Sequence, residues 1–212
     1  MIHVRTSGVV ISQIYGGGGN NGATYTNDFI ELFNAGTAPV SLSGWSVQYG
    51  SATGSTWQKT DLGNVMLQPG QYYLVQQAQG AGGSTPLPTA DATGTVAMSG
   101  TAGKVALVSS TTFLASTASS GPTIVDYVGF GSAANASEGS PTPPPSNTTA
   151  VIRLLAGCTD TDNNNANFVA GAPTPRNTTT PLNACNGSGG GGTGGGATTP
   201  TAVKIHDIQG TG

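Results

Sequence analysis

Apolar residues recur at every second position in short runs along this chain, and no segment shows the three-to-four spacing of an amphipathic helix. The runs VVISQIY (9–15), DFIELFN (28–34), GWSVQYG (44–50), QYYLVQQ (71–77), KVALVSS (104–110), IVDYVGFG (124–131) and AVIRLL (150–155) each read as a strand. TWQKTDL and VMLQPG continue the pattern between them. Side chains two apart share a face, so Ile30 groups with Leu32, and Trp45 with Val47 and Tyr49. The connections carry turn chemistry, clearest at Pro69-Gly70; AGTAPVSLSG and AGGSTPLPTADATG read as loops, and PTPPPSNTT as a rigid extended spacer. A sheet built from such strands has an apolar face that needs covering, and a second sheet covers it. The pattern therefore predicts an all-β, antiparallel sandwich.

After Cys185 the pattern stops. Residues 186–200 are a Gly-rich linker, and AVKIHDIQ then alternates once more, with Val203, Ile205 and Ile208 as its apolar positions. The expected organisation is a tail (1–7), a folded sandwich (8–185), the linker, and a terminal strand segment (201–212). Three readings of that segment stand. It opens a following domain, it adds as a strand to an open sheet edge of its own or a neighbouring molecule, or it is a tail without function. Strand addition between molecules is a head-to-tail contact, and its repetition would build extracellular filaments.

Composition narrows the classes. Only 7% of residues are charged, against about 25% in ordinary soluble proteins. The net charge is −3, and the six basic residues are scattered at Arg5, Lys59, Lys104, Arg153, Arg176 and Lys204. No basic patch can be assembled from them, which argues against nucleic-acid binding by this segment. No apolar run approaches the roughly 18 residues of a membrane span. MIHVRTSGVVIS lacks the apolar core and cleavage site of a signal peptide, so an export signal would lie outside this sequence. Cys158 and Cys185 enclose a polar loop without metal-ligand spacing, and a disulfide fits them better than two free thiols. Closing that loop would contribute about 3 kcal/mol, and it favours an oxidising, extracellular compartment.

Candidate chemistry is sparse. In CTDTDNNNANF, Asp160, Asp162 and Asn164 alternate as the first oxygen ligands of a calcium loop do. Asn165 and Gly171 occupy the positions where an EF-hand has its glycine and bidentate glutamate, so Asx turns are the competing reading. Asp28, Glu31, Asp126 and Glu138 are the carboxylates a glycosidase would need to pair, but the setting of Glu31 suits a hydrogen-bonded structural acid. GGGGNNG (16–22) lacks the Lys-Ser/Thr of a phosphate loop and reads as a flexible connection. The only histidines, His3 and His206, lie in the terminal tails, which leaves no triad and no zinc site. Trp45, Trp57, Tyr49, Tyr72 and Tyr73 are the residues from which a glycan- or peptide-binding face would be made, with Trp57 the one expected to be exposed.

Together VVISQIY, DFIELFN, PVSLSGW, LQPGQYYLV, GKVALV and VDYVGFG resemble the lamin tail domain, an immunoglobulin-like sandwich. YGGGGN, PSNTT and GCTDTDNN…PTPRN are similar to the version at the front of large secreted bacterial nucleases. The resemblance implies a non-catalytic binding or spacer module of such a nuclease, with protein, glycan or cell-surface partners, and AVKIHDIQGTG as the start of the next module. Two departures matter. That subgroup carries a cysteine just before the Glu138-Gly139 position, and an Asp where Asn167 stands. The missing cysteine leaves Cys158 and Cys185 to pair with each other, and Asn167 weakens an acidic role for the loop.

Overall fold

A computed structural model describes residues 8–117 and 119–185. The linker 186–200, the segment bearing Val203, Ile205 and Ile208, and both histidines lie outside the described residues. In chain order the strands are β1 (Val9–Tyr15), β2 (Asn27–Asn34), β3 (Val40–Ser41), β4 (Ser46–Ser51), β5 (Trp57–Asp61) and β6 (Met66–Leu67). They continue with β7 (Tyr72–Gln79), β8 (Ala92–Thr93), β9 (Gly103–Val108), β10 (Ile124–Phe130), β11 (Ala150–Arg153) and β12 (Phe168–Gly171). A 3-10 turn (Leu155–Gly157) and one short helix, α1 (Asn164–Asn167), lie between β11 and β12.

A six-stranded sheet runs β12-β11-β1-β2-β7-β8, a four-stranded sheet runs β10-β9-β4-β5, and β3 pairs with β6 in a small third ladder. All pairings are antiparallel except β7 with β8. The sandwich predicted from alternation is present. Its main core joins Val9, Ile11, Ile14, Ile30, Leu32, Tyr73 and Val75 to Val47, Tyr49, Val105, Leu107, Val128 and Phe130. Each such side chain contributes about 1.5–3 kcal/mol by leaving water.

The outward faces are buried too, which alternation alone does not predict. Tyr15, Phe29, Leu74 and Ala150 form one outer cluster on the six-stranded sheet, and Val10, Phe33 and Tyr72 another. Trp57, Ala106, Val108 and Tyr127 form a third on the other sheet. Long connections cover these faces. PTPPPSNTT, expected to act as a spacer, is instead packed onto the fold at both ends: Thr142 is buried, bridges to Phe130 and donates its amide to the Gly129 carbonyl at 2.9 Å, while Asn147 accepts from Tyr15 Oη on its carbonyl. In the loop GGGGNNG, expected to be a flexible connection, the four glycines 16–19 pack closely against other backbone, and Asn20, Asn21 and Gly22 are exposed. A side chain on Gly18 would fall 1.9 Å from the carbonyl carbon of Asn27, and one on Gly19, at φ +67°, would fall 2.2 Å from Gly80.

A bulge in β1, between Ile11 and Gln13, places the polar groups of the sandwich. Val9, Ile11 and Ile14 face inward, whereas Ser12 and Gln13 both turn toward Glu31 on the outer face. The Ile11 amide donates to Asp126 Oδ2 at 2.6 Å.

Candidate functional site

The loop from Arg153 to Phe168 gathers most of the chemistry. Arg153 continues β11 into the space between the sheets and is fully buried. Its Nη2 donates to Asp126 Oδ2 at 2.7 Å, its Nε to the Ile11 carbonyl at 2.8 Å, and its Nη1 to the Thr159 carbonyl and to Asp160 Oδ1, each at 3.1 Å. The guanidinium also stacks on Phe168, 4.5 Å from the ring centre. A planar fork with five donors is the one side chain that can serve four such acceptors. The loop is thereby tied into the core at Asp160.

Past Arg153 the chain turns through Leu155 and Ala156, both left-handed at φ 51° and 56°, and reaches Cys158. Cys158 is bonded to Cys185, with Cα atoms 5.5 Å apart. The disulfide expected from the cysteine count is therefore formed. Asp162 is left-handed as well, at φ 52°, and sends the chain into α1, where the Asn163 side chain caps the helix by accepting from the Ala166 amide.

Glu138, Asp160 and Asp162 converge, each offering one carboxylate oxygen, all within 4.8 Å of one another. Oxygens held 2.3–2.6 Å from one calcium ion lie no more than about 5 Å apart, so the spacing fits a hard divalent cation. Asp160 and Asp162, two of the three residues named from the alternation, belong to this group. Asn164 does not join them. Its Oδ1 accepts from the amides of Gly129 (2.9 Å) and Glu138 (3.1 Å), and its Nδ2 donates to the Tyr127 carbonyl at 3.0 Å. With its oxygen committed to two amides it is a buried staple between α1 and β10, and Glu138 takes the third place. No local spacing relates Glu138 to Asp160; the Asn164 staple brings them together, since the Asn164 amide also donates to the Glu138 carbonyl at 2.9 Å. Asn167 is likewise structural, accepting from Thr161 Oγ1 and donating to Asp160 Oδ1.

The other acids are engaged separately. Asp28 and Glu31 leave β2 on opposite faces, so they form no catalytic pair. Asp28 accepts from the amides of Gly18 and Met98, both at 2.8 Å, and burial pushes its carboxyl up to about 7 while those two bonds pull it down. Glu31 is fully buried and takes Arg176 Nη2 on Oε1 at 2.7 Å and the Arg176 amide on Oε2 at 2.7 Å. Burial raises its carboxyl above the usual range, against the lowering effect of Arg176 and Ser12. The aromatic set makes no exposed platform. Trp57 is buried, with its indole N–H donating to the Ser116 carbonyl at 3.0 Å, because the loop after β9 folds over it. Tyr49, Tyr72 and Tyr73 are buried as well, and Trp45 is half-buried against the core.

A family model described as Lamin Tail Domain matches residues 5–131, more than half of the chain. The fold is also similar to the crystal structure of a DUF4876 family protein from Bacteroides thetaiotaomicron. That match has 13% identity and a TM-score of 0.57, and it covers 84% of this chain and 74% of that one. At such identity the likeness concerns the fold alone. No curated protein matches the sequence.

Proposed function

Because this chain belongs to the lamin tail domain family, we propose that it is a non-catalytic binding or spacing module of a larger secreted protein, with an extracellular nuclease as the parent. The observation that carries this reading is the employment of its acids. Asp28, Glu31 and Asp126 are buried and spent on backbone amides or arginines, which suits a rigid module better than a reacting centre. The Cys158–Cys185 disulfide supports the oxidising compartment. The nuclease parent rests on the resemblance of YGGGGN, PSNTT and GCTDTDNN…PTPRN. The purified chain is expected to leave DNA, RNA and glycans intact, while the product of its full gene degrades nucleic acid. Turnover by the chain alone would overturn the reading, and an inactive full-length product would remove the nuclease parent.

A second reading is favoured by the convergence of Glu138, Asp160 and Asp162: the module takes up calcium, which holds the β10–α1 junction. Excess calcium over a chelator should raise the melting temperature, with a gain in stability of about 2.7 kcal/mol at a hundred times Kd. Asp162→Asn should abolish the shift. An equal melting temperature in calcium and chelator would end this reading.

A further inference from the structure

Beyond β12 the chain turns back and crosses the outer face of the six-stranded sheet. This strap, residues 172–179 (APTPRNTT), passes over β1, β2 and β7 in turn and is read at every second residue. Over β1, Gln13 makes a double contact with the backbone of Thr174: its Oε1 accepts the Thr174 amide at 2.9 Å and its Nε2 donates to the Thr174 carbonyl at 2.8 Å. Over β2, Glu31 accepts both the backbone amide and the guanidinium of Arg176, whose Nη1 donates to Tyr72 Oη at 2.8 Å. The guanidinium lies 3.8 Å from the centre of the Tyr72 ring. Over the far strands, Asp91 accepts the amide of Thr178 at 3.1 Å and its hydroxyl, and Gln71 Nε2 donates to the Thr178 carbonyl at 3.0 Å.

The backbone is thus recognised at 174, 176 and 178, and the side chain at 176 and 178, with the period of an extended peptide. Gln13 and Glu31 are fully buried beneath the strap, so these are built contacts rather than chance ones on an open surface. Pro173 and Pro175 hold the segment extended in advance, which lowers the ordering cost of docking it. The pairing of a planar guanidinium with both a carboxylate and an aromatic face would reject lysine.

We propose that Gln13, Glu31, Tyr72 and Asp91 form a sequence-reading groove for an extended peptide of the type x-Pro-Arg-x-Thr, held at the first x by its backbone. The chain fills this groove with its own residues 174–178, and a segment of the same chemistry in another protein is the partner that competes for it. The groove is separate from the acidic cluster and needs neither calcium nor a nuclease parent.

The test uses the full chain carrying Arg176→Ala, which weakens the resident strap and leaves the groove intact. A fluorescent peptide APTPRNTT is titrated against this variant and against the unaltered chain, with anisotropy as readout. Saturable binding is expected, at least about tenfold tighter to the variant, because the native strap competes in the unaltered chain. The same peptide with alanine for arginine should not bind. Should Arg176→Ala fail to fold, Thr178→Ala loosens the strap without exposing a charge and should shift affinity in the same direction. The proposal is overturned if the folded variant binds the peptide no better than the unaltered chain, or binds the alanine peptide equally well.

Discussion

Residues 8–131 and residues 132–185 are held by different forces. The first segment brings ten of the strands and nearly all of the inter-sheet core, and its cohesion is apolar burial. The second adds two strands to the edge of the six-stranded sheet and otherwise lies over surfaces already made. Its grip is polar: Arg153 on Asp126, Arg176 on Glu31, the Asn164 staple and one disulfide. In the Arg153–Asp126 and Arg176–Glu31 pairs the acid comes from the first segment and the arginine from the second. The first segment is therefore incomplete in charge although nearly complete in shape. A family match that stops at residue 131 outlines the apolar scaffold and leaves out the cations that scaffold needs.

The strongest way to break this contrast is to end the chain at Gly131. Asp126 would then lose its arginine, Glu31 would lose both its arginine and the strap that covers it, and the outer faces would lose their cover. The fragment should show no cooperative thermal transition and no near-UV circular dichroism. A fragment that folded cooperatively would show the second segment to be an accessory.

Separating the two pairs sharpens it. Arg153 is fully buried, whereas the Arg176 side chain keeps 20% of its surface in water. Arg153→Ala should cost about 3–5 kcal/mol in urea unfolding, the usual loss when one half of a buried pair is removed. Arg176→Ala should cost less, because a loosened strap admits water to Glu31. Equal losses would contradict that order.

The smallest effect concerns Asp28, the buried acid of the first segment that is served by backbone amides. Its folded-state carboxyl stands at about 7, against about 3.9 in an unfolded chain. The folded state thus holds the proton more tightly, and the contribution of Asp28 to stability grows as pH falls from above 7 toward about 4. The slope is at most about 1.4 kcal/mol per pH unit. Urea midpoints should rise between about pH 8 and pH 5, and Asp28→Asn should flatten that rise.

Much of the first segment was legible beforehand. VVISQIY coincides with β1, and DFIELFN, KVALVSS and IVDYVGFG fall within two residues of β2, β9 and β10, because two-residue alternation over six or more positions leaves few alternatives. Val40–Ser41 and Ala92–Thr93 lie within stretches that read as loops, since a two-residue strand carries no period. The second segment resisted for another reason. AVIRLL announced β11, yet nothing beside Arg153 indicates an acid 27 positions earlier, and nothing beside Thr174 indicates Gln13. Such partners are set by the finished sheet, not by neighbours in the chain. The acidic loop shows the mixture: local spacing grouped Asp160 with Asp162, while the carboxylate that lies beside them, Glu138, comes from the β10–β11 connection.

The disulfide also decides how the module bears load. Tension applied to anything attached beyond Cys185 passes through the sulfur bridge to Cys158 and into the 3-10 turn beside β11. The strap and the acidic loop, which lie between the two cysteines, are short-circuited and carry none of it. A tug from a neighbour would be met by β11 within the sheet, and the groove could stay closed while the module is stretched.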